Sequence, residues 1–371
     1  MITKEKTPPF DLEGYLTDGV EAIVKNALRA TLKDPRESAF MARYTLASKT
    51  AAKRRAQATA QGEHIPPFLI ASITSSCNLH CSGCYARHNH ACIDGGVPDQ
   101  LTGEEWTAIF QEARELGIGF ILLAGGEPLL RRDVLEAAGD FPEILFPVFT
   151  NGTMLDEAYT TLFHRCRNLI PVFSIEGQQA ETDARRGDGV YQALLSAMDR
   201  MAEHHLLFGA SVTVTRDNLP GVTSRTFLDQ LEKRGCKVVF YVEYVPVEEA
   251  SRDLAPQDPD RELLRQSLDE LRQESPDMLF LSFPGDEKNA GGCLAAGRGF
   301  FHINAQGGAE PCPFSPYSDC NVKELSLRGA LASPLFAALQ ESHMLLEDHA
   351  GGCVLFERRE DVELLAKNGR D

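Results

Sequence analysis

Apolar residues recur along this chain with two different periods. Before residue 66 the spacing is helical. Val20, Ile23, Val24, Ala27, Leu28 and Thr31 repeat at intervals of three and four, which predicts an amphipathic helix ending ahead of Pro35. A second helix is predicted over about Pro35–Ala60, with Phe40, Tyr44 and Ala47 on one face and Lys49, Lys53, Arg54 and Arg55 towards its end, where cations suit a helix C-terminus. From Pro66 short apolar, β-branched or aromatic runs alternate with helical stretches. The runs predict strands at about Phe68–Thr74, Gly119–Ala124, Leu145–Thr150, Ile170–Ile175, Gly209–Thr215 and Val238–Val245. Between them the pattern predicts helices near Thr102–Leu116, Arg132–Ala138, Asp156–Cys166, Val190–His205 and Val222–Arg234, with Pro259–Glu274 after the last strand. Strands without polar alternation imply burial on both faces, hence a parallel sheet. Six such units predict an α/β fold, either a doubly wound sheet or a partial (βα)6 TIM-like barrel, with its chemistry beyond the C-terminal strand ends.

Composition narrows the class of protein. The 371 residues carry 37 Lys and Arg against 54 Asp and Glu, a formal charge of -17, which argues against nucleic acid as a partner. The charge is uneven: residues 1–66 hold 11 basic and 8 acidic residues, net +3, so the remainder is net -20. A basic helical arm at residues 1–65 could touch an anionic membrane surface, or it could pack on the next domain. The apolar runs are too short for a membrane span of ~20 residues, and Met1–Glu5 lacks a secretory layout. A cytoplasmic location with reduced thiols is therefore expected. Ten cysteines then need a reason other than disulfides. Cys92, Cys166 and Cys236 are scattered and read as small buried hydrophobes. Cys77, Cys81 and Cys84 crowd together, and Cys293, Cys312, Cys320 and Cys353 lie near the end.

The triplet follows the first strand. A structural zinc ion would need a fourth ligand, which His80, His88 or His90 could supply. A 4Fe–4S cluster held by three thiolates would leave one iron open to a small chelating ligand. Other chemistry-bearing segments also fall at strand ends: Gly125-Gly126-Glu127-Pro128 after the second, Thr150-Asn151-Gly152 at the third, Ser174-Ile175-Glu176-Gly177 at the fourth and Tyr244-Val245-Pro246 at the sixth. In this order they resemble the radical S-adenosylmethionine (radical SAM) superfamily. The resemblance implies that Cys77, Cys81 and Cys84 ligate a 4Fe–4S cluster and that Tyr85 lies beside the adenine of SAM. It implies that Gly125, Gly126, Glu127 and Pro128 form the turn that meets the methionine amino group, with Asn151 at the next strand end. Ser174 and Glu176 stand where the fourth strand meets ribose and methionine, although many members carry Asp at the latter position. Arg186, in Asp183-Ala-Arg-Arg-Gly187, is the candidate partner of the SAM carboxylate.

After Pro284 the βα repeat stops. Phe300–Asn304 predicts a strand, Gln306-Gly307-Gly308 a turn and Ala309–Cys312 the return, followed by a helix near Pro334–Glu341. This resembles the SPASM/twitch extension of radical SAM enzymes, a small α+β domain that holds auxiliary Fe–S clusters. It implies a second 4Fe–4S cluster on Cys293, Cys312, Cys320 and Cys353, and zinc on the same four thiols is the alternative. The expected organisation is a helical arm at 1–65, a radical SAM core at 66–284 and a cluster domain at 285–371. The resemblance further implies an electron donor such as flavodoxin or ferredoxin and a small-molecule, cofactor or lipid-precursor substrate, with a peptide as the alternative. A non-enzymatic electron relay is the competing class; it would have no use for a SAM-binding turn.

Overall fold

The computed structural model describes residues 35–246, 249–290, 292–346 and 353–369. The helix expected before Pro35 lies outside these. The described strands form one sheet: β1 (Phe68–Thr74), β2 (Phe120–Gly125), β3 (Phe146–Thr150), β4 (Leu169–Ser174), β5 (Gly209–Val214), β6 (Val238–Glu243), β7 (Leu279–Phe283), β8 (Phe300–Ile303) and β9 (Ala309–Glu310). Its order is β7-β6-β5-β4-β3-β2-β1-β8-β9. Every pairing from β1 to β7 is parallel, as the buried strand pattern predicts. The fold is the expected mixed α/β partial barrel, an unclosed sheet with helices outside it.

Three features extend the sequence reading. β7 adds a seventh parallel strand. β8 does not stand apart with the C-terminal segment: it pairs in parallel with the free edge of β1, from Phe68↔Phe300 to Ala71↔Ile303. Ser72 Oγ lies 2.7 Å from His302 Nε2, and His302 Nδ1 lies 2.7 Å from Glu310 Oε2, so a buried polar chain ties β1, β8 and β9. Third, the strands are not uniformly buried. Leu69, Ala71 and Ile73 of β1 are fully covered by the helical layer, whereas Phe68, Ile70 and Ser72 are half-buried; β2 and β7 alternate likewise. Phe68, Ile70, Leu122, Ala124 and Phe283 of the half-buried set line a cavity in the barrel, so apolar alternation here marks a hollow interior.

The helix Pro35–Ala60 closes the opposite end. Phe40, Met41 and Tyr44 pack on Leu145 and Ile170, at the N-terminal edge of the sheet. Its cations do not lie in its own last turn. Arg54 and Arg55 instead donate at 2.6 Å to the carbonyls of Arg114 and Gly117. These carbonyls end the helix Gly103–Leu116, so the positive charge does serve a helix C-terminus, that of a neighbour. No helix among the described residues is long and apolar enough to cross a membrane.

Candidate active site

At the C-terminal strand ends lies a cavity of about 700 Å³. Cys77, Cys81, Cys84, Tyr85, Gly125, Gly126, Glu127, Asn151, Ser174 and Arg186 all line it. The sequence-predicted set therefore converges, with two exceptions. Pro128 is buried at the start of a short 3-10 turn, where its fixed φ suits the first position, and does not reach the cavity. Glu176 also stands back from it.

The glycine turn shows why no side chain is tolerated. Gly125 has φ +126°, and Gly126 lies so close to the cysteine loop that a Cβ would sit 1.9 Å from the Ser76 carbonyl oxygen. The Gly126 and Glu127 N–H groups donate to the Thr74 and Ser76 carbonyls at 2.8 Å. Glu127 is 1% exposed. Its carboxylate accepts from Thr150 Oγ1 (2.7 Å), Asn151 N–H (2.8 Å) and Leu129 N–H (3.0 Å). Burial pushes this carboxyl up to about 7 against the pull of those donors. Glu127 thus knits the ends of β2 and β3 as well as lining the cavity. Asn151 extends the link by donating to Asn78 Oδ1 at 2.8 Å, inside the cysteine loop.

Glu176 stands behind the cavity wall and pairs with two arginines. It is 1% exposed and its Oε1 lies 2.5 Å from both Arg185 Nη1 and Arg186 Nη2. Its other oxygen accepts the Thr213 N–H at 3.0 Å. Burial raises its carboxyl, but the two guanidinium groups outweigh that and hold it below the usual range. The carboxylate fixes two arginines that line the cavity. Arg185 was not foreseen from the motif. It ties the helix Gln179–Arg186 to the cysteine loop, because Ser82 N–H donates to the Arg185 carbonyl at 2.8 Å and Arg185 Nε to the Ser82 carbonyl at 3.2 Å. Burial pushes the Cys81 thiol up, and Arg186 and Arg185 oppose it. Cys77 is held below its ordinary range, first by a hydrogen bond with the Cys92 thiol and then by Leu79 N–H, Arg87 and Arg186. Cys92 is therefore buried beside the triplet, while Cys166 and Cys236 are packing residues of the core.

The C-terminal cysteines divide. Cys293, Cys312 and Cys353 line the same cavity, and so does Glu287, which no motif announced. Burial pushes the Glu287 carboxyl up to about 7 and the Cys353 thiol up to about 12. Cys320, expected with them, does not reach the cavity. Its carbonyl accepts from Ser318 Oγ (2.7 Å) and Ala309 N–H (3.2 Å), and its thiol faces Asp319 and Ser333. Between the two cysteine groups Tyr85 packs on Phe314, with ring centres 4.7 Å apart.

Among the described residues no three His, Cys, Asp or Glu side chains come close enough to share one metal ion. The fit to an iron–sulfur cluster rests instead on donor chemistry and surroundings. Three thiols on one loop face a cavity beside two arginines. Over that loop, Tyr244 presents a buried hydroxyl that finds no hydrogen-bond partner among the described residues, against Gly83.

Residues 71–233 match the family model of the Radical SAM superfamily. That stretch is less than half of the chain, and over it, Cys77, Cys81, Cys84, the glycine turn and Arg186 included, the chain is similar to that superfamily. The members of that superfamily are enzymes that use a 4Fe–4S cluster and SAM. The chain is 28% identical to an AdoMet-dependent heme synthase of Methanosarcina barkeri, over 71% of this chain and 81% of the relative. It is 25% identical to a PqqA peptide cyclase of Granulibacter bethesdensis, over 67% and 68% of the two chains. Several further relatives match over less than two thirds of their own length. Among solved structures, Streptococcus suis SuiB bound to S-adenosylmethionine superposes with a TM-score of 0.67 at 16% identity, over 84% of this chain and 79% of that one. That likeness shows the fold.

Proposed function

We propose that this protein is a radical SAM enzyme that holds a 4Fe–4S cluster on Cys77, Cys81 and Cys84 and SAM along the glycine turn. It would then remove hydrogen from a small-molecule, cofactor or lipid-precursor substrate in the same cavity. When bound, the cluster and SAM supply one-electron cleavage of a sulfonium C–S bond and a 5′-deoxyadenosyl radical. The chain's own residues bind and orient. Gly125 and Gly126 let backbone approach the ligand closely, and Arg186, fixed by Glu176, offers a forked donor to a carboxylate. The Tyr244 hydroxyl is a further donor at the loop. Phe68, Ile70, Leu122, Phe149, Phe240 and Phe300 line the cavity and keep water from the reacting centre. The observation that carries this reading is the single cavity: it gathers the triplet, the glycine turn, Arg186 and a second set of thiols. That second set supports an auxiliary Fe–S site of the SPASM/twitch kind, used in electron transfer or substrate handling. A flavodoxin or ferredoxin would supply the reducing electron.

The apolar lining and the heme synthase relative favour a small molecule with an apolar body. The PqqA peptide cyclase relative supports a peptide substrate as the second reading. Anaerobic reconstitution followed by dithionite and SAM tests the core of the proposal. The intact chain should release 5′-deoxyadenosine and Cys81→Ala should release none; equal yields would refute it. Stimulation of that yield by apolar small molecules or by candidate peptides then separates the two substrate classes.

A further inference from the structure

Among the described residues, the thiols of Cys293, Cys312 and Cys353 and the carboxylate of Glu287 all line the cavity. Glu287 is 7% exposed. It sits in the 3-10 segment Gly285–Ala290 directly after β7. Its N–H donates to the Pro284 carbonyl at 2.9 Å, and its own carbonyl accepts from Gly292 N–H at 3.3 Å. The side chain is therefore presented from a fixed backbone, and it hydrogen-bonds the Cys293 thiol. Arg298 is the cation near both Glu287 and Cys293. Three thiols and one buried carboxylate on a single cavity supply four anionic donors of the kinds that hold iron. Meanwhile Cys320 spends its thiol on Asp319 and Ser333 outside the cavity.

We propose that the second cluster is ligated by Cys293, Cys312, Cys353 and the Glu287 carboxylate, with Cys320 outside the ligand set. The assignment rests on reading the C-terminal group as an iron–sulfur site. Three thiolates and one oxygen would complete the coordination without a fourth cysteine. A ligand other than thiolate raises a cluster's potential, as imidazoles do in Rieske centres. The site would then accept an electron more readily than an all-thiolate one.

The test uses the full chain carrying Cys77→Ala, Cys81→Ala and Cys84→Ala, so that only the second site remains. After anaerobic reconstitution this background should bind about four irons and show a reduced-cluster EPR signal. Adding Cys320→Ser should leave iron content and line shape unchanged. Adding Cys312→Ser should lose the signal. Glu287→Gln should keep far-UV circular dichroism but expose one iron, so that added cyanide or imidazole shifts the EPR signal, which it does not in the background. Glu287→Cys should restore insensitivity to added ligand and lower the midpoint potential. Loss of iron in Cys320→Ser, or a Glu287→Gln signal identical to the background with and without added ligand, overturns the assignment while leaving the second cluster standing. A background that binds zinc or no metal overturns the second cluster itself, and the assignment with it.

Discussion

Glu176 decides how two arginines face the cavity. Removing its charge leaves both guanidinium groups without their shared buried partner, a change that costs about 3–5 kcal/mol in comparable settings. Glu176→Gln should therefore lower the urea midpoint at pH 7 by that order and weaken SAM binding. The sign with pH follows from the depressed carboxyl. Its stabilisation is fully present above the ordinary carboxyl value of 4.5 and fades as pH falls through the lower folded value. Wild type and Glu176→Gln should thus converge in stability on going from pH 7 to pH 3, measured by urea unfolding of the cluster-free protein. At this scale the sequence was informative wherever chemistry is carried by a local run. The triplet, the glycine turn and Arg186 were legible because their spacing fixes which atoms share a loop. Glu287 was not: Cys293 and Arg298 lie close by in the chain, but Cys312 and Cys353 reach the cavity from farther along it, and no run of residues announces the set. Cys320 was expected with the other three, but its thiol faces Asp319 and Ser333, a direction that nearness along the chain does not disclose.

At the scale of elements, the strand-end turns carry the site, and the turn after β2 tolerates least. Alanine at Gly126 would put its Cβ against a backbone carbonyl of the cysteine loop, with no flexible side chain to yield. Overpacking of this kind costs roughly 1–3 kcal/mol or more. Gly126→Ala should push the two loops apart and weaken SAM binding at least tenfold in equilibrium dialysis, roughly 1.4 kcal/mol. Unchanged affinity would show that the loops have slack. Element type was readable where apolar period and caps agree. The helix Gly103–Leu116 has its Thr102–Glu105 capping box and a left-handed Gly117 at its end, and its observed start is one residue from the predicted one. The helix Gln179–Arg186 escaped detection because only Thr182 is buried among its residues, so no apolar stripe exists to find. β7 escaped because its four apolar residues and one serine before Pro284 form too short a run to show a period.

At the scale of the molecule, the barrel has one working end and one closed end. Phe40, Met41 and Tyr44 close the latter, and burying each contributes about 1.5–3 kcal/mol. A chain beginning at residue 61 should therefore unfold at clearly lower urea and bind a hydrophobic dye through the uncovered Leu145 and Ile170. Equal stability would mean that the helix is dispensable to the fold. Helical periodicity disclosed this inward face, but not which end of the barrel it covers, since that depends on the docking of whole elements. Both cysteine groups open at the working end.

The pairing of β1 with β8 also sets a timetable for synthesis. Phe68 waits for Phe300, 232 positions later in the chain. At roughly 5–20 residues per second, ribosomal elongation separates them by about 12–46 s. Through that interval the nascent sheet presents β1 with one row of backbone donors and acceptors unclaimed, a template for any passing strand. The seam closes only once β8 has emerged and taken up the row of backbone groups that β1 holds open.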